Sequence, residues 1–538
     1  MADTEKSQLP FEDTADKAAG EIIDPASQGQ TNQLHRTFKA RHIQMICLGA
    51  NLSSGLFVST GKALKYGSAS GMLIAYSVVS IAVYLLMSLL TEITCLWPTT
   101  GSFIDHAARF VDPALGFAIG FCEWFAYMTI VASEAAIVRE LLTWWTTSIP
   151  TAACMTVFLF LVFTIHALPN RFFAEFEFVT ACAKVTMMLI LIFACIAMLA
   201  GTGRPTTTYY TNYTSAPAFP NGLKGVSEAI PLAVWAMGAQ EIMGISAGEA
   251  QMPRWDMPRA CKNLFARLII FYELSIVFIT LLVPYTNPSL LGTSSVAASP
   301  FTIALRNAQI PVLPSLLNAV ILLGILSNAT EAMYVASRIL TAMSSMKMMP
   351  APFRKIDSRG RPYLALLATA LCSTICTYIN CTSTGAQIFT WFSSISSTVF
   401  FLAWLTVALT NIQMRKAVAA QNDPAFTLPY AFRLRGYPFP ALCLLVICLV
   451  CLALMAYISL EPIEAKTTAE GFFEVFLGVP VFVLAFVGYK VWFRTSLVSP
   501  KEADLATGRR LLGRGEVKVL EDYGRLVWWR RALSYVRF

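Results

Sequence analysis

His42-Ile43-Gln44-Met45-Ile46-Cys47-Leu48-Gly49-Ala50-Asn51-Leu52-Ser53-Ser54-Gly55-Leu56-Phe57-Val58 is apolar enough to begin a membrane span, yet Gly, Asn and Ser fill its middle. Those residues uncouple a helix rather than extend it. A helix interrupted at mid-membrane exposes N–H and C=O groups that hydrocarbon cannot satisfy. The break is tolerated only where protein, water or a ligand completes the hydrogen bonding, so it is itself evidence for a binding site.

The rest of the chain agrees with a bilayer setting. Of its 538 residues 56% are hydrophobic and only 13% charged, with mean hydropathy +0.59; a soluble protein of this length needs more charge on its surface. The formal net charge of +8 comes from basic residues placed between apolar runs, where membrane orientation accounts for them and nucleic acid is excluded as a partner. Most of the cysteines that matter to a framework argument lie inside apolar runs (Cys47, Cys182, Cys195, Cys372, Cys376, Cys443) and act as small hydrophobes. Cys448-Leu449-Val450-Cys451 has metal or redox spacing but sits in an aliphatic helix, so packing explains it and no metal or cofactor is expected. No Ser-His-Asp, metal-ligand or phosphate-loop constellation occurs, and the only histidines are His35, His42, His106 and His166. An enzyme is not expected.

Residues 1–41 are polar and read as a disordered cytoplasmic arm without a signal peptide. Residues 42–493 hold about twelve runs of spanning length, near 42–64, 70–96, 113–138, 149–168, 174–200, 226–247, 264–285, 311–336, 362–381, 385–411, 438–460 and 471–493. Alternating them from a cytoplasmic start puts Arg254, Arg259, Lys262, Arg267, Lys347, Arg354, Lys355, Arg359, Arg361, Arg415, Lys416, Arg433 and Arg435 on one side. That bias agrees with both termini in the cytoplasm, within reach of trafficking or ubiquitin machinery. The outer loop 201–225 carries Asn212-Tyr213-Thr214, an acceptor tripeptide for a glycoprotein, although such tripeptides also arise by chance. The basic tail 494–538 ends Arg525-Leu526-Val527-Trp528-Trp529-Arg530-Arg531, which suits either a helix on an anionic leaflet or a solvated tail.

The sixth run, Val226–Ala250, has Met237, Gly238, Ala239, Gln240 and Glu241 near its centre and is also interrupted. Breaks in runs one and six are what two inverted five-helix repeats produce, about 42–200 and 226–411, with substrate at the midplane between them. Half-helix N-termini suit a carboxylate and C-terminal carbonyls suit an ammonium, so a zwitterionic amino acid satisfies both. The candidate substrate-binding residues are therefore Ala50, Asn51, Leu52, Ser53, Ser54 and Gly55 with Trp235, Met237, Gly238, Ala239 and Gln240. Trp235 reads as a gate or as ordinary packing.

Ionisable residues at bilayer depth need a reason. Lys184, deep in the fifth run, suits either proton exchange or a structural ion pair; Glu241 and Glu134 are the other proton-coupling candidates. Glu331 and Glu123 carry weaker signals, and Glu92, Glu175 and Glu177 are expected at the cytoplasmic rim.

Several segments then resemble the yeast and fungal amino-acid permeases of the amino acid–polyamine–organocation superfamily: Arg41-His42-Ile43-Gln44-Met45-Ile46, Gly101-Ser102-Phe103, Arg109 through Phe117, Gly248-Glu249-Ala250 followed by Pro258-Arg259-Ala260, Leu282-Val283-Pro284-Tyr285, Leu313-Pro314-Ser315 with Asn318-Ala319-Val320, and Ser337-Arg338. They run in the family's order from about residue 35 to 490. The resemblance implies an all-α polytopic membrane protein of twelve helices, a LeuT-like five-plus-five repeat with two extra C-terminal helices (438–493). It also implies secondary active, proton-coupled uptake of amino acids, usually at the plasma membrane. By the same resemblance Lys184 matches a fifth-span lysine thought to stand where sodium sits in sodium-coupled relatives, and Glu241 a sixth-span glutamate.

The departures fall on the breaks. Gly-Thr-Ile-Gly-Thr-Gly-Leu-Phe is usual where this chain has Gly49 to Phe57, with Leu52 through Ser54 crowding the turn. In the sixth run the usual Phe-Ala-Gly-Thr-Glu becomes Met237-Gly238-Ala239-Gln240-Glu241. An unusual amino acid or derived metabolite, export or exchange, and a non-transporting sensor are the alternative readings. The short N-terminal arm argues against a sensor.

Overall fold

The computed structural model describes residues 52, 54–202, 211–214, 217–250, 252–291, 299–379, 381, 383–427, 432–463, 467–510, 514–525 and 527. The N-terminal arm and the first half of the opening stretch, including Ala50, Asn51 and Ser53, lie outside the described residues.

Helix α1 (Ser54–Phe57) leads through Val58 into α2 (Ser59–Leu96), whose helical path breaks at Ser68 (φ 58°, ψ −174°), between the first two expected runs. There follow α3 (Ser102–Phe110), α4 (Pro113–Leu142), α5 (Thr151–Ala167) and α6 (Asn170–Leu199). Helices α7 (Gly222–Met237) and α8 (Ile242–Glu249) are separated by four non-helical residues, 238–241. Helix α9 (Pro253–Arg267) continues through a π-helical turn, Leu268–Glu273, into α10 (Leu274–Leu282). The chain then forms α11 (Pro300–Asn307), α12 (Leu313–Ser345), α13 (Tyr363–Ile379), α14 (Ser383–Ala420), α15 (Phe439–Leu460), α16 (Ala469–Phe476), α17 (Gly478–Phe493) and α18 (Arg514–Arg525).

Among the described residues, seven helical stretches are long and apolar enough to cross a membrane: α2, α4, α6, α9 with α10, α12, α14 from Ile395, and α15. Helices α5, α13 and α17 are shorter and apolar. Phe193 is 68% and Leu484 72% exposed. In water each would forfeit about 25 cal/mol per Å² of apolar surface, whereas acyl chains cover such surface at no comparable cost. The polar inventory is inside instead, with Glu92, Glu123, Glu134, Lys184, Gln240 and Glu241 all buried. Helix α7 lies against α2, and α4 lies against α12 and α14; Tyr127, midway along α4, donates to Glu241 in the α7–α8 break.

At the end of the bundle where α2 finishes, Glu92 accepts hydrogen bonds from Arg415 Nε (3.0 Å), Asn411 Nδ2 (2.9 Å) and the Leu434 N–H (2.7 Å), and pairs also with Arg415 Nη2. Two side chains of α14 and the backbone before α15 are thereby tied to α2.

The tail before α18 is docked on the bundle; of the Arg525–Leu533 stretch expected at a membrane surface or in solvent, all but Arg525 and Val527 lies outside the described residues. Val498 N–H donates to Val111 O (2.9 Å) and Arg510 N–H to Leu96 O (3.0 Å). Trp97 Nε1 donates to Leu505 O (3.1 Å), and Arg509 pairs with Asp423 (2.7 Å). Ala503 and Leu505 are buried. The segment straps the same end of the bundle. Beneath it His106 is buried on α3, with Nε2 2.9 Å from Trp97 O. Burial pushes its imidazole down to about 4, so it is neutral and donates from Nε2.

Candidate functional site

The α7–α8 break is built from its own residues. Pro231 sits inside α7, where it removes one backbone hydrogen bond. Ala239 adopts φ 56°, a left-handed conformation that costs a non-glycine residue about 1 kcal/mol. Gly238 is needed for a different reason: a Cβ there would meet Val234 O at 2.6 Å and the Phe400 ring at 2.7 Å. The two residues whose order departs from the family pattern thus have separate duties, and the strained position is the one that carries alanine.

Gln240 staples the break. Its Nε2 donates to Met237 O (3.1 Å) and Gly238 O (3.0 Å), and its Oε1 accepts from Arg267. Met237 Sδ accepts from Ser80 (3.3 Å). Both side chains are expected at the substrate; here Gln240 bonds the break and Arg267, and Met237 meets Ser80. The opening stretch meets α7 through Gly55, where a Cβ would come within 2.7 Å of Ala236 Cα. Leu52 is buried.

A cavity of about 20 Å³ lies beside the break, room for a water molecule and too small for an amino acid. Trp235, Ala239 and Ile242 line it from the interrupted helix, Tyr127 and Ile130 from α4, Asn328, Glu331 and Ala332 from α12, and Phe400 from α14. Of the residues expected at the substrate, Trp235 and Ala239 reach it. Tyr127, Asn328 and Phe400 were not foreseen, because a single polar or aromatic residue in a long apolar run carries no local signal.

Three polar groupings surround this cavity. Glu241 accepts from Tyr127 Oη (2.9 Å) and Trp404 Nε1 (3.3 Å). Glu134 Oε1 accepts from Ser54 Oγ (2.7 Å) and Asn328 Nδ2 (2.6 Å), joining α1, α4 and α12. Lys184 Nζ donates to Ser327 Oγ (2.9 Å), which donates in turn to Glu177 Oε2 (2.8 Å), while Thr330 donates to Glu177 Oε1 (2.9 Å). Glu177 is only 2% exposed and belongs to this interior network, not to the rim where sequence placed it. Neither carboxylate oxygen of buried Glu123 has a hydrogen-bond partner among the described residues. Farther away, Asn212 spends its amide on Thr280 O (3.1 Å) and Leu281 O (3.0 Å), bonds that compete with a glycan on the same nitrogen.

The chain is an all-helical, multi-pass membrane protein with an interrupted helix beside an interior cavity. A mutant of the Eremococcus coleocola manganese transporter shares the fold at 13% identity and TM-score 0.52, covering 87% of this chain and 98% of that one. The family described as Amino acid permease matches residues 42–499, and the chain belongs to that family, within the amino acid–polyamine–organocation superfamily. It is 32% identical over 494 residues to a general amino-acid permease of Candida albicans, covering 90% of this chain and 83% of the relative. It is also 32% identical to the lysine-specific permease of Lactococcus lactis subsp. cremoris (90% and 96%). Amino acid transporter 1 of Schizosaccharomyces pombe is 31% identical (95% and 90%). The chain is accordingly an amino-acid permease and not an enzyme.

Proposed function

We propose that this permease takes up amino acids together with protons across the plasma membrane by alternating access. Its twelve crossings would form two inverted five-helix halves, 42–200 and 226–411, followed by two further helices in 438–493, with both ends in the cytoplasm. The observation that carries the reading is the α7–α8 break with Glu241 buried in it, hydrogen-bonded to Tyr127 of the cavity wall. The start of α8 offers N–H groups and a positive dipole end to the substrate carboxylate, and the carbonyls ending α7 suit its ammonium. Ser54 and Gly55 complete the site from α1. Glu241, Glu134 and Lys184 form the proton-handling set, since an ionisable group held in a membrane interior is costly unless it has work to do. The amino-acid substrates named for the Candida albicans and Lactococcus lactis relatives support the substrate class.

Labelled amino-acid uptake into cells expressing the chain tests this. Uptake rises as external pH falls and collapses with a protonophore; indifference to both removes proton coupling. Lys184→Ala reaches the membrane but loses accumulation, and normal accumulation by that variant returns Lys184 to a packing role.

A further inference from the structure

We propose that the cavity is a subsite for a cationic side chain, recognised by the Glu331 carboxylate, so that the preferred substrates are amino acids bearing a side-chain ammonium or guanidinium. This deepens the amino-acid reading of the same site and rests on it. Among the described residues Glu331 is the one carboxyl-bearing side chain lining the cavity, and three of its other walls are the rings of Tyr127, Trp235 and Phe400. Aromatic faces attract a desolvated cation, and one carboxylate among them completes a box for it. The side chain is 5% exposed and its Oε1 has no hydrogen-bond partner among the described residues. An anion so placed lacks the donors that its neighbours have: Glu134 holds Ser54 and Asn328, and Glu177 holds Ser327 and Thr330.

The surrounding charges point the same way. Lys184 and Arg267 attract Glu331 and Glu177 repels it, while Lys184 is shared with Glu134 and Glu177. Lys184 is thus shared by three carboxyl groups. A zwitterion with a neutral side chain offers the free Glu331 oxygen no partner. A side-chain cation pairs with that oxygen where it lies, and leaving a buried polar group unpaired is the more expensive alternative. The closed cavity does not hold a whole amino acid, so these contacts form as the walls part.

The test compares isosteres that differ in charge. In permease-deficient cells expressing the full chain, arginine is set against citrulline and lysine against norleucine as competitors of whichever labelled amino acid the cells accumulate. The same four compounds are used to raise the melting temperature of the detergent-purified protein, which needs no transport. The charged member of each pair acts at concentrations roughly tenfold or more below its neutral partner, the scale of a charge-assisted hydrogen bond. Glu331→Gln brings each pair to within about twofold in the melting assay, and Glu331→Asp keeps the charged member ahead. A wild-type protein that does not separate arginine from citrulline overturns the proposal, as does a Glu331→Gln protein that still separates them. If no amino acid accumulates or stabilises the protein, the permease reading itself has failed, a different result from equal treatment of the pairs.

Discussion

Glu92 and Glu123 are the same residue type, both wholly buried, and are treated in opposite ways. Glu92 at the end of α2 receives Arg415, Asn411 and the Leu434 N–H. Glu123 in α4 receives no hydrogen bond among the described residues, although Tyr127, one turn further on, donates to Glu241. A carboxylate supplied with that many donors, a guanidinium among them, fastens elements together. A carboxyl group supplied with none is a poor fastener, and in the proton-coupled reading proposed above it is a candidate to gain and lose a proton. Burial alone therefore does not tell these two glutamates apart; the donors around them do.

The largest effect that could break this distinction is on stability. Glu92→Ala strands the Arg415 guanidinium in a buried pocket, which costs roughly 3–5 kcal/mol. The purified protein then melts far below wild type, and a melting temperature unchanged to within a degree would show that the latch is decorative. Glu123→Gln replaces a carboxyl group that no donor supports, so stability stays within about 1 kcal/mol of wild type or improves. Its effect falls on transport, as a flatter dependence of uptake on external pH. Severe destabilisation with normal pH dependence would reverse the roles assigned to the two glutamates.

Ser54→Gly is the next smaller step and removes a hydroxyl from the turn that opens α1. The structure gives this serine a partner, Glu134 Oε1 at 2.7 Å, so its loss costs about 1 kcal/mol and leaves Asn328 alone on that oxygen. Competition by a panel of amino acids should show a changed order of preference. An unchanged order would mean that the Ser54–Glu134 bond is only a tie between α1 and α4.

How much of this was legible depends on whether the signal was local. The sixth-run break was readable because Gly238, Gln240 and Glu241 interrupt an apolar run in adjacent positions. That Gln240 would staple the break, with Arg267 as partner, was not, since both partners must first be brought together by the fold. Glu177 looked like a rim residue from its place two turns inside α6, and Ser327 and Thr330, on a helix far along the chain, make it an interior one. The docked tail was hidden for a further reason. Leu505 and Leu96 are held through main-chain carbonyls, which leave no mark in a sequence.

The smallest predicted effect concerns Ala239 itself. At φ 56° its Cβ crowds the following carbonyl, a strain of about 1–2 kcal/mol that glycine does not have. Glycine also has more freedom to lose on folding, which takes back about 0.5–1 kcal/mol. Ala239→Gly should therefore stabilise the protein slightly, by about 0.5–1 kcal/mol on balance, seen as a melting temperature raised by a degree or two. Because Ala239 also lines the cavity, removing its methyl group enlarges the site, and bulkier amino acids should gain as competitors relative to small ones. The opposite substitution sharpens the point. Gly238→Ala drives a methyl into the Phe400 ring and Val234 O and should lower the melting temperature and abolish uptake. If the two substitutions had the same sign, the division of labour between these adjacent residues, one chosen for space and one strained in its backbone, would be wrong.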